Sequence, residues 1–231
     1  MIQSELTDLK KMNSQFTTKV SSFIKYRLIE FSGIFLVLTS VFLLLSIASY
    51  SPNDPNFIYT PENTEIENFA GFSGSVVSDF LLQSIGLISI LFSINFLSWG
   101  LKLTFQKKIY NFISRIFYTL IYIICGTVFI NISYNNSFWL IDNGNSGFVG
   151  RSIKENIYRY TSLIENQYIG YFLILLTFIF FVLSLNLKIE EIKKILFLPF
   201  FIIKKIITFL KKMKNLLIIL QIWSKTKLLK I

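Results

Sequence analysis

The chain has 231 residues, a formal net charge of +10, 53% hydrophobic residues and only 16% charged residues. Soluble domains carry about 25% charged residues, so this composition excludes an ordinary water-facing domain, and its hydrophobicity excludes a disordered polycation. The absence of histidine and the single cysteine exclude histidine-dependent catalysis, Cys/His zinc sites and a disulfide within the chain.

Four stretches are long and apolar enough to cross a bilayer, because a hydrocarbon core of about 30 Å requires about 20 helical residues. None of them contains an acidic side chain, and aromatic residues lie at or near their ends, as is typical of membrane interfaces. The predicted spans are residues 31–49, 80–101, 112–132 and 168–187. The predicted fold class is therefore an all-α integral membrane protein, with a four-helix membrane domain over residues 31–187.

The distribution of Lys and Arg predicts the orientation of these helices. Residues 1–30 form a basic lead with five Lys and Arg, whereas residues 51–79 have none and carry five acids. Residues 188–231 carry eleven Lys against two Glu. Because Lys and Arg concentrate in cytoplasmic loops, we expect both termini in the cytoplasm and two exported loops. The first span reads as a retained anchor rather than a cleaved signal peptide.

The first exported loop contains prolines and glycines at defined spacings. Pro52 and Pro55 favour a turn that ends the first helix at the membrane surface. Gly71 and Gly74 lie three residues apart, which predicts two bare backbone patches on one helix face, where another segment can approach closely. A carboxylate buried in lipid is costly, so we expect Asp79 to face water or to pair with a base. The basic residues predicted on that side are Arg151, Lys154 and Arg159.

The second exported loop contains Gly144, Gly147 and Gly150, spaced three residues apart ahead of a predicted helical stretch. The pattern is not a phosphate-binding loop, because neither G-x-x-x-x-G-K-[ST] nor G-x-G-x-x-G occurs in the chain. Taken alone, these glycines predict a flexible turn. Within the second predicted span, we expect Asn95 simply to face the helix bundle, and hydrogen bonds from Gln83 and Asn95 to a neighbouring helix are the alternative.

The order and spacing of these residues resemble the four-helix N-terminal membrane domain of the bacterial DNA translocase FtsK, over about residues 25–190. In that family the first span leads to a P-x-D-P-S/N turn and an N-x-x-G-x-x-G-A-x-x-A-D segment, and a glycine-rich motif precedes the fourth span. Ser75 and Ser78 stand where that pattern has alanine. The matching residues are Pro52, Asp54, Pro55, Asn68, Gly71, Gly74, Asp79, Gly144, Gly147 and Gly150.

The resemblance implies a multi-pass protein of the bacterial inner (plasma) membrane at the division septum. It implies a membrane anchor for cell division and chromosome segregation, with the lipid bilayer, divisome membrane proteins and further copies of itself as partners. The ten matching residues would shape the loops that recognise partners. Full-length members are ATP-driven DNA translocases, but no Walker motif occurs in these 231 residues, so DNA and ATP are expected only through a separate motor domain.

No catalytic, cofactor or metal site is predicted, and the sequence leaves open a fragment, a split gene or a motorless paralogue. The alternative function is a small four-span channel or transporter subunit. Transport needs ionisable or helix-breaking residues at membrane depth, and the predicted spans have no central charge or proline. A membrane enzyme would have to use Asp54 and Asp79 as a carboxylate pair, without a cofactor or nucleophile.

Residues 188–231 form a Lys-rich segment in which three lysine pairs recur at intervals of eleven and seven residues. Both intervals return to within about 20° of a whole number of helical turns. The pattern predicts an amphipathic helix on the anionic cytoplasmic leaflet, interrupted at Pro199. A DNA-facing segment and a simple topology signal are the alternatives. The predicted leaflet contacts are Lys193, Lys194, Lys204, Lys205, Lys211 and Lys212.

Overall fold

The computed structural model describes residues 2–58, 65–137, 139–140, 143–188, 190–194, 197–198, 200–201, 203–209, 211 and 213–214. Pro199 and Lys212, which the sequence assigns to a helix interruption and a leaflet contact, lie outside these described residues. The chain forms two compact units, Met1–Asn186 and Leu187–Ile231. Throughout the described ranges the regular secondary structure is helical, as the all-α prediction requires.

The first unit contains six α-helices and one 3₁₀ turn, Ser162–Glu165. The helices are α1 (Ile2–Ala48), α2 (Gly71–Ile85), α3 (Ile88–Gln106), α4 (Phe112–Ser133), α5 (Gly147–Tyr158) and α6 (Gln167–Ser184). Among the described residues, four helical stretches are long and apolar enough to cross a membrane: Phe16–Ala48, Ile88–Gln106, Phe112–Ser133 and Gln167–Ser184. The protein is therefore a multi-pass membrane protein.

Two of the predicted spans differ from the observed helices in their boundaries. The basic lead and the first span form one continuous helix, α1, rather than separate segments. The second predicted span, residues 80–101, is divided at Gly86, where φ is +58° and α2 ends. The apolar run continues across this break, so hydropathy alone does not reveal it. Glycine adopts a positive φ without the steric cost that other residues incur.

Helices α1 and α3 pack as an antiparallel pair through small residues. A Cβ atom built on Gly33 would lie 2.5 Å from Thr104 Oγ1, and one on Gly100 would lie 2.8 Å from the Gly33 carbonyl oxygen. Farther along the pair, the buried Ser40 hydroxyl donates a 2.7 Å hydrogen bond to the Ser93 carbonyl. Small residues let the two backbones approach closely, which is a common basis of helix association in membranes.

Helices α4 and α6 form the second pair, and the Asn95 side chain links it to α3. Its Nδ2 donates to Thr119 Oγ1 at 2.8 Å and to the Tyr122 hydroxyl at 3.2 Å. Its Oδ1 accepts a 3.0 Å hydrogen bond from Ser184 Oγ. Polar groups at membrane depth must find partners within the protein, and this network satisfies that need. The structure therefore shows the alternative interpretation of Asn95, hydrogen bonds to neighbouring helices, rather than a side chain that only faces the bundle.

The short helices α2 and α5 cover one end of the bundle. We call this the loop end: it is where α1 and α4 finish, and it includes residues 49–58, 65–70, 134–137, 139–140 and 143–146. Helix α2 packs on α1 and α5, and α5 packs on α4. Leu82 and Leu140 are almost completely buried there and pack with Ile47. The loop end is therefore a packed cap on the bundle.

The second unit contains helical backbone at residues 190–194 and 203–209. Its described lysines are exposed, and so are large apolar side chains among them. Phe200 and Phe201 are each 65% exposed. Exposed apolar and cationic side chains therefore occur together in this Lys-rich segment.

Candidate functional site

At the loop end, Asp54 lies in the turn that follows α1, and its carboxylate is buried with 3% exposure. Its Oδ1 accepts a hydrogen bond from the Glu67 backbone N–H at 2.9 Å, and its Oδ2 accepts one from the Asn68 N–H at 3.0 Å. Two charge-assisted hydrogen bonds offset the cost of removing the carboxylate from water. Asp54 therefore fastens the two ends of the first loop together.

Asn68 connects this loop to the end of α1 and to the start of α2. Its buried Nδ2 donates to the Ser46 carbonyl at 2.9 Å, and its Oδ1 accepts from the Ala70 N–H at 3.0 Å. Gly74 packs directly on this arrangement, because a Cβ atom there would collide with Asn68 Oδ1 and lie 3.0 Å from Ser46 Oγ. The close approach predicted at Gly74 is therefore present in the structure.

Gly71 has a different role from the close approach that the sequence predicts. It has a φ of +66°, and a Cβ atom built on it would meet nothing within 4 Å. This glycine is suited to the positive φ at the start of α2 rather than to a close contact. Gly71 and Gly74 therefore meet two different requirements, a positive φ at Gly71 and a close approach at Gly74.

Ser75 and Ser78, the two departures from the family pattern, are both buried and hydrogen-bonded. Ser75 Oγ donates to the Pro55 carbonyl. Ser78 Oγ donates to the Ser75 carbonyl at 3.1 Å and lies 3.4 Å from Asn68 Nδ2. Alanine could make none of these hydrogen bonds, so the two serines add polar contacts between α2 and the loop.

Asp79 accepts a hydrogen bond from the Tyr50 hydroxyl, with a distance of 3.1 Å to Oδ1. From the sequence, the expected basic partners of Asp79 are Arg151, Lys154 and Arg159. The Tyr50 hydroxyl is not among the expected partners. The Tyr50 ring in turn packs on Trp139, with ring centroids 5.9 Å apart. Asp54 and Asp79 thus bind separate groups, which gives no support to the carboxylate pair of a membrane enzyme. Pro52, the remaining residue of the turn motif, is exposed.

Gln83 forms a polar contact, but its partner lies in a loop rather than in a neighbouring helix. Its Oε1 accepts a 2.9 Å hydrogen bond from Asn143 Nδ2. This contact joins α2 to the segment that leads into the three glycines. Together with the Tyr50–Trp139 contact, it connects the first loop to the second.

The glycine-rich segment crosses the break between α2 and α3 in direct backbone contact. Gly147 has a φ of +66°, and a Cβ atom on it would lie 2.6 Å from the Gly86 backbone N. A Cβ on Gly86 would lie 2.6 Å from the Ser146 carbonyl carbon. The Leu87 N–H donates to the Asn145 carbonyl at 2.9 Å. The predicted flexible turn is therefore a fixed contact between two glycine backbones.

Gly144 and Gly150 contact other parts of the structure. Gly144 has a φ of +68°, and a Cβ there would lie 2.6 Å from Asn135 Oδ1. A Cβ on Gly150 would lie 2.5 Å from the Thr127 carbonyl oxygen in α4. The three glycines thus fit the second loop against the end of α2, against α4 and against its own preceding residues.

Sequence reasoning missed several residues that hold this segment in place. The Asn131 Nδ2 donates to the fully buried Ser146 hydroxyl at 2.8 Å, and Asn135 Oδ1 accepts from the Ser146 N–H at 3.2 Å. The density of Asn and Gly between residues 131 and 147 is a signal for such turns, because Asn side chains readily bond to nearby backbone. The close contact at Gly33 was also missed.

Exposed apolar side chains lie close in the chain to the buried motif residues of the loop end. Phe57, Ile58 and Phe69 are 81%, 96% and 81% exposed, and Phe72 is 50% exposed. We call these four residues, three of them aromatic and each within four residues of Asp54 or Asn68 in the chain, the aromatic patch. Large exposed apolar side chains on a rigid support are typical of interaction surfaces. Within the described parts of the chain, no group of three His, Cys, Asp or Glu side chains could hold a metal ion.

Comparison with known proteins agrees with this architecture. The family model for the 4TM region of DNA translocase FtsK/SpoIIIE matches residues 25–194. A DNA translocase FtsK of Azospirillum brasilense is 30% identical over 95 residues, which are 41% of this chain and 15% of that relative. No solved structure matches the chain. Since the family match covers most of the chain, the chain belongs to the 4TM region family of DNA translocase FtsK/SpoIIIE.

Proposed function

We propose that this chain is a membrane anchor domain of FtsK type, which is targeted to the division septum and contacts divisome membrane proteins there. The family match carries the anchor function. The aromatic patch supports partner contact, because the exposed Phe57 and Phe69 lie close in the chain to Asp54 and Asn68, which a hydrogen bond holds together. A preorganised surface binds a partner with little loss of conformational freedom.

The proposed orientation places the loop end on the exported side and both termini in the cytoplasm of a bacterial inner membrane. The absence of Lys and Arg from residues 51–79 supports this orientation, because positive charges are retained on the cytoplasmic side. The aromatic patch would then face partners outside the cytoplasm.

In a complete translocase of this type, the domain would tether a DNA- and ATP-dependent motor beside the closing septum. Several copies of the domain would assemble around that motor. The whole-protein activity is a proposal drawn from the family, because the matched part of this chain spans 15% of the Azospirillum brasilense relative.

We further propose that the Lys-rich segment contacts the anionic cytoplasmic leaflet. Lys193, Lys194, Lys204, Lys205 and Lys211 are exposed, and Phe200 and Phe201 among them expose apolar rings. Each Lys near an anionic surface contributes about 1 kcal/mol to binding. Exposed aromatic rings beside lysines suit a headgroup interface better than they suit water.

The septum proposal is tested with the full chain fused to a fluorescent protein and expressed at low level in a dividing bacterium. We expect the wild-type chain at midcell, and we expect a Phe57→Ser/Phe69→Ser double variant to remain in the membrane but lose midcell enrichment. Phe105→Ser is the matched control, because Phe105 is 77% exposed near the opposite end of α3. Midcell enrichment of the double variant equal to wild type would contradict the proposed role of the patch.

A further inference from the structure

An apolar groove lies between α4, α5 and the start of α6, and its volume is about 360 Å³. Val128 and Ile164 form its floor and are 3% and 5% exposed. Leu163 lies at its rim and is 65% exposed. The Thr161 hydroxyl is a polar group in the lining, and it already accepts a 3.2 Å hydrogen bond from the Leu163 N–H. The groove therefore suits hydrocarbon rather than water.

The groove lies at the depth of lipid acyl chains. Cys125, which lines it, is eight residues before Ser133, the last residue of α4. At a rise of 1.5 Å per residue, this separation places Cys125 about 12 Å below the end of the helix. Ile124 and Ile157 also line the groove and are 46% and 40% exposed, so apolar side chains remain accessible at its opening.

The lining of the groove suits an occupant that is apolar along its length, and the volume of the groove is about 360 Å³. A single flexible acyl chain can follow such a groove, and the volume lies within the range of about 300–1,000 Å³ typical of ligand sites.

Cationic side chains flank the lining residues on α5 and on the turn after it. Arg159 is exposed and lies in the chain between Ile157 and Thr161, which both line the groove. Lys154 follows Ile153, another lining residue, and its Nζ lies 5.7 Å from the centre of the Tyr158 ring. Long basic side chains extend toward the headgroup region, and arginine binds phosphate oxygens with two parallel hydrogen bonds.

We propose that this groove is a phospholipid-binding site, in which one acyl chain lies against Val128 and Ile164 and the lipid phosphate binds Arg159, with Lys154 beside it. The site is separate from the aromatic patch and does not depend on septum targeting. A lipid held here fills the space between α4, α5 and α6. It would thereby stabilise the position of α5, whose Gly150 packs on α4.

The test uses the purified full chain in nanodiscs that contain a phospholipid with a photoactivatable group in one acyl chain. Cross-linked residues are mapped by mass spectrometry. We expect labelling of residues 124–128 to exceed labelling around Leu175, on the bilayer-facing side of α6 and 55% exposed, by about five-fold. Equal labelling at the two places would mean ordinary boundary lipid and would overturn the proposal, as would cross-links from the groove to a second copy in place of lipid.

Two sets of variants test the acyl-chain contact and the phosphate contact separately. Ile157→Trp fills the groove and should lower labelling of residues 124–128 about five-fold, whereas Leu175→Trp should leave it unchanged. Arg159→Gln should weaken retention of phosphatidylglycerol about three-fold, while Lys108→Gln, at a distant basic residue, should not. Unchanged retention in Arg159→Gln would overturn the phosphate assignment.

A measurement on the wild-type protein tests the proposal without any substitution. Native mass spectrometry of the wild-type chain, released from detergent, should show one retained phospholipid per chain, and anionic and zwitterionic lipids are compared in separate arms. Release of the chain without any bound phospholipid would overturn the proposal even if every variant failed to fold.

Discussion

Both oxygens of Asp54 accept hydrogen bonds from the main chain, at Glu67 and Asn68, and Asn68 in turn bonds to the Ser46 carbonyl. These side chains are buried, so they act on the shape of the first loop rather than on a partner directly. The residues of the sequence motif and the residues that a partner would touch are therefore different sets. Substitutions in the two sets should have different consequences.

At this scale, we expect Asp54→Asn to lower the free energy of unfolding by about 2 kcal/mol, because an amide NH₂ would replace an acceptor oxygen opposite a backbone N–H. Thermal unfolding in detergent, followed by circular dichroism, measures the change. Glu65→Gln is the matched control, since Glu65 is exposed in the same loop. A melting temperature for Asp54→Asn equal to that of the control would contradict the assigned role.

At the scale of elements, the α1–α3 contact depends on glycine. A Cβ on Gly33 would lie within 2.6 Å of the Thr104 backbone N, and backbone cannot move aside as a flexible side chain can. A Cβ on Gly170 would instead meet Ser133 Oγ at 3.7 Å, an ordinary contact distance. A methyl group would therefore clash at Gly33 and would be accommodated at Gly170.

We expect Gly33→Ala to cost about 1–3 kcal/mol through overpacking, and Gly170→Ala to be neutral or slightly stabilising because alanine is the better helix former. The comparison is made by unfolding each variant in the same detergent with a chemical denaturant. The prediction fails if Gly170→Ala proves the more damaging substitution.

The sequence predicts the membrane helices, but it does not predict the break between α2 and α3 or the contacts between distant residues. Long apolar runs predict the membrane helices, because hydrocarbon admits few polar side chains. The break at Gly86 falls within such a run, and its cause is the distant backbone of Asn145 and Ser146. The contact of Gly33 with Thr104 and the Tyr50 bond to Asp79 likewise depend on tertiary neighbours. Amino-acid composition and hydropathy carry no information about these distant partners.

At the scale of the whole molecule, two helix pairs, α1–α3 and α4–α6, are joined at separate levels. The Asn95 network joins α3 to α4 and α6. At Gly126 in α4, a Cβ would lie 2.6 Å from Ile88 Cδ1 and 3.0 Å from Thr177 Cγ2. At the loop end, the Gly86–Gly147 contact adds a third connection. The aromatic patch and the phospholipid groove therefore belong to one connected body, residues 1–186.

The charge distribution leads to a prediction at the same scale. Since each Lys near an anionic surface contributes about 1 kcal/mol, we expect backbone amides of residues 203–209 in the full chain to exchange hydrogen more slowly in anionic nanodiscs than in zwitterionic ones. Lys204→Gln/Lys205→Gln should remove most of this difference, and Lys19→Gln/Lys25→Gln, in exposed lysines of α1, should retain it. Identical exchange in the two lipids would contradict leaflet binding.

The contact between Gly86 and Gly147 also constrains the order of biogenesis. The two glycines are 61 positions apart (147 − 86), so the contact cannot form until α4 and the start of α5 have been synthesised. Until then, residues 71–106 are an apolar stretch that lacks the backbone against which Gly86 bends. The final angle between α2 and α3 is therefore set only after the third membrane helix has been synthesised.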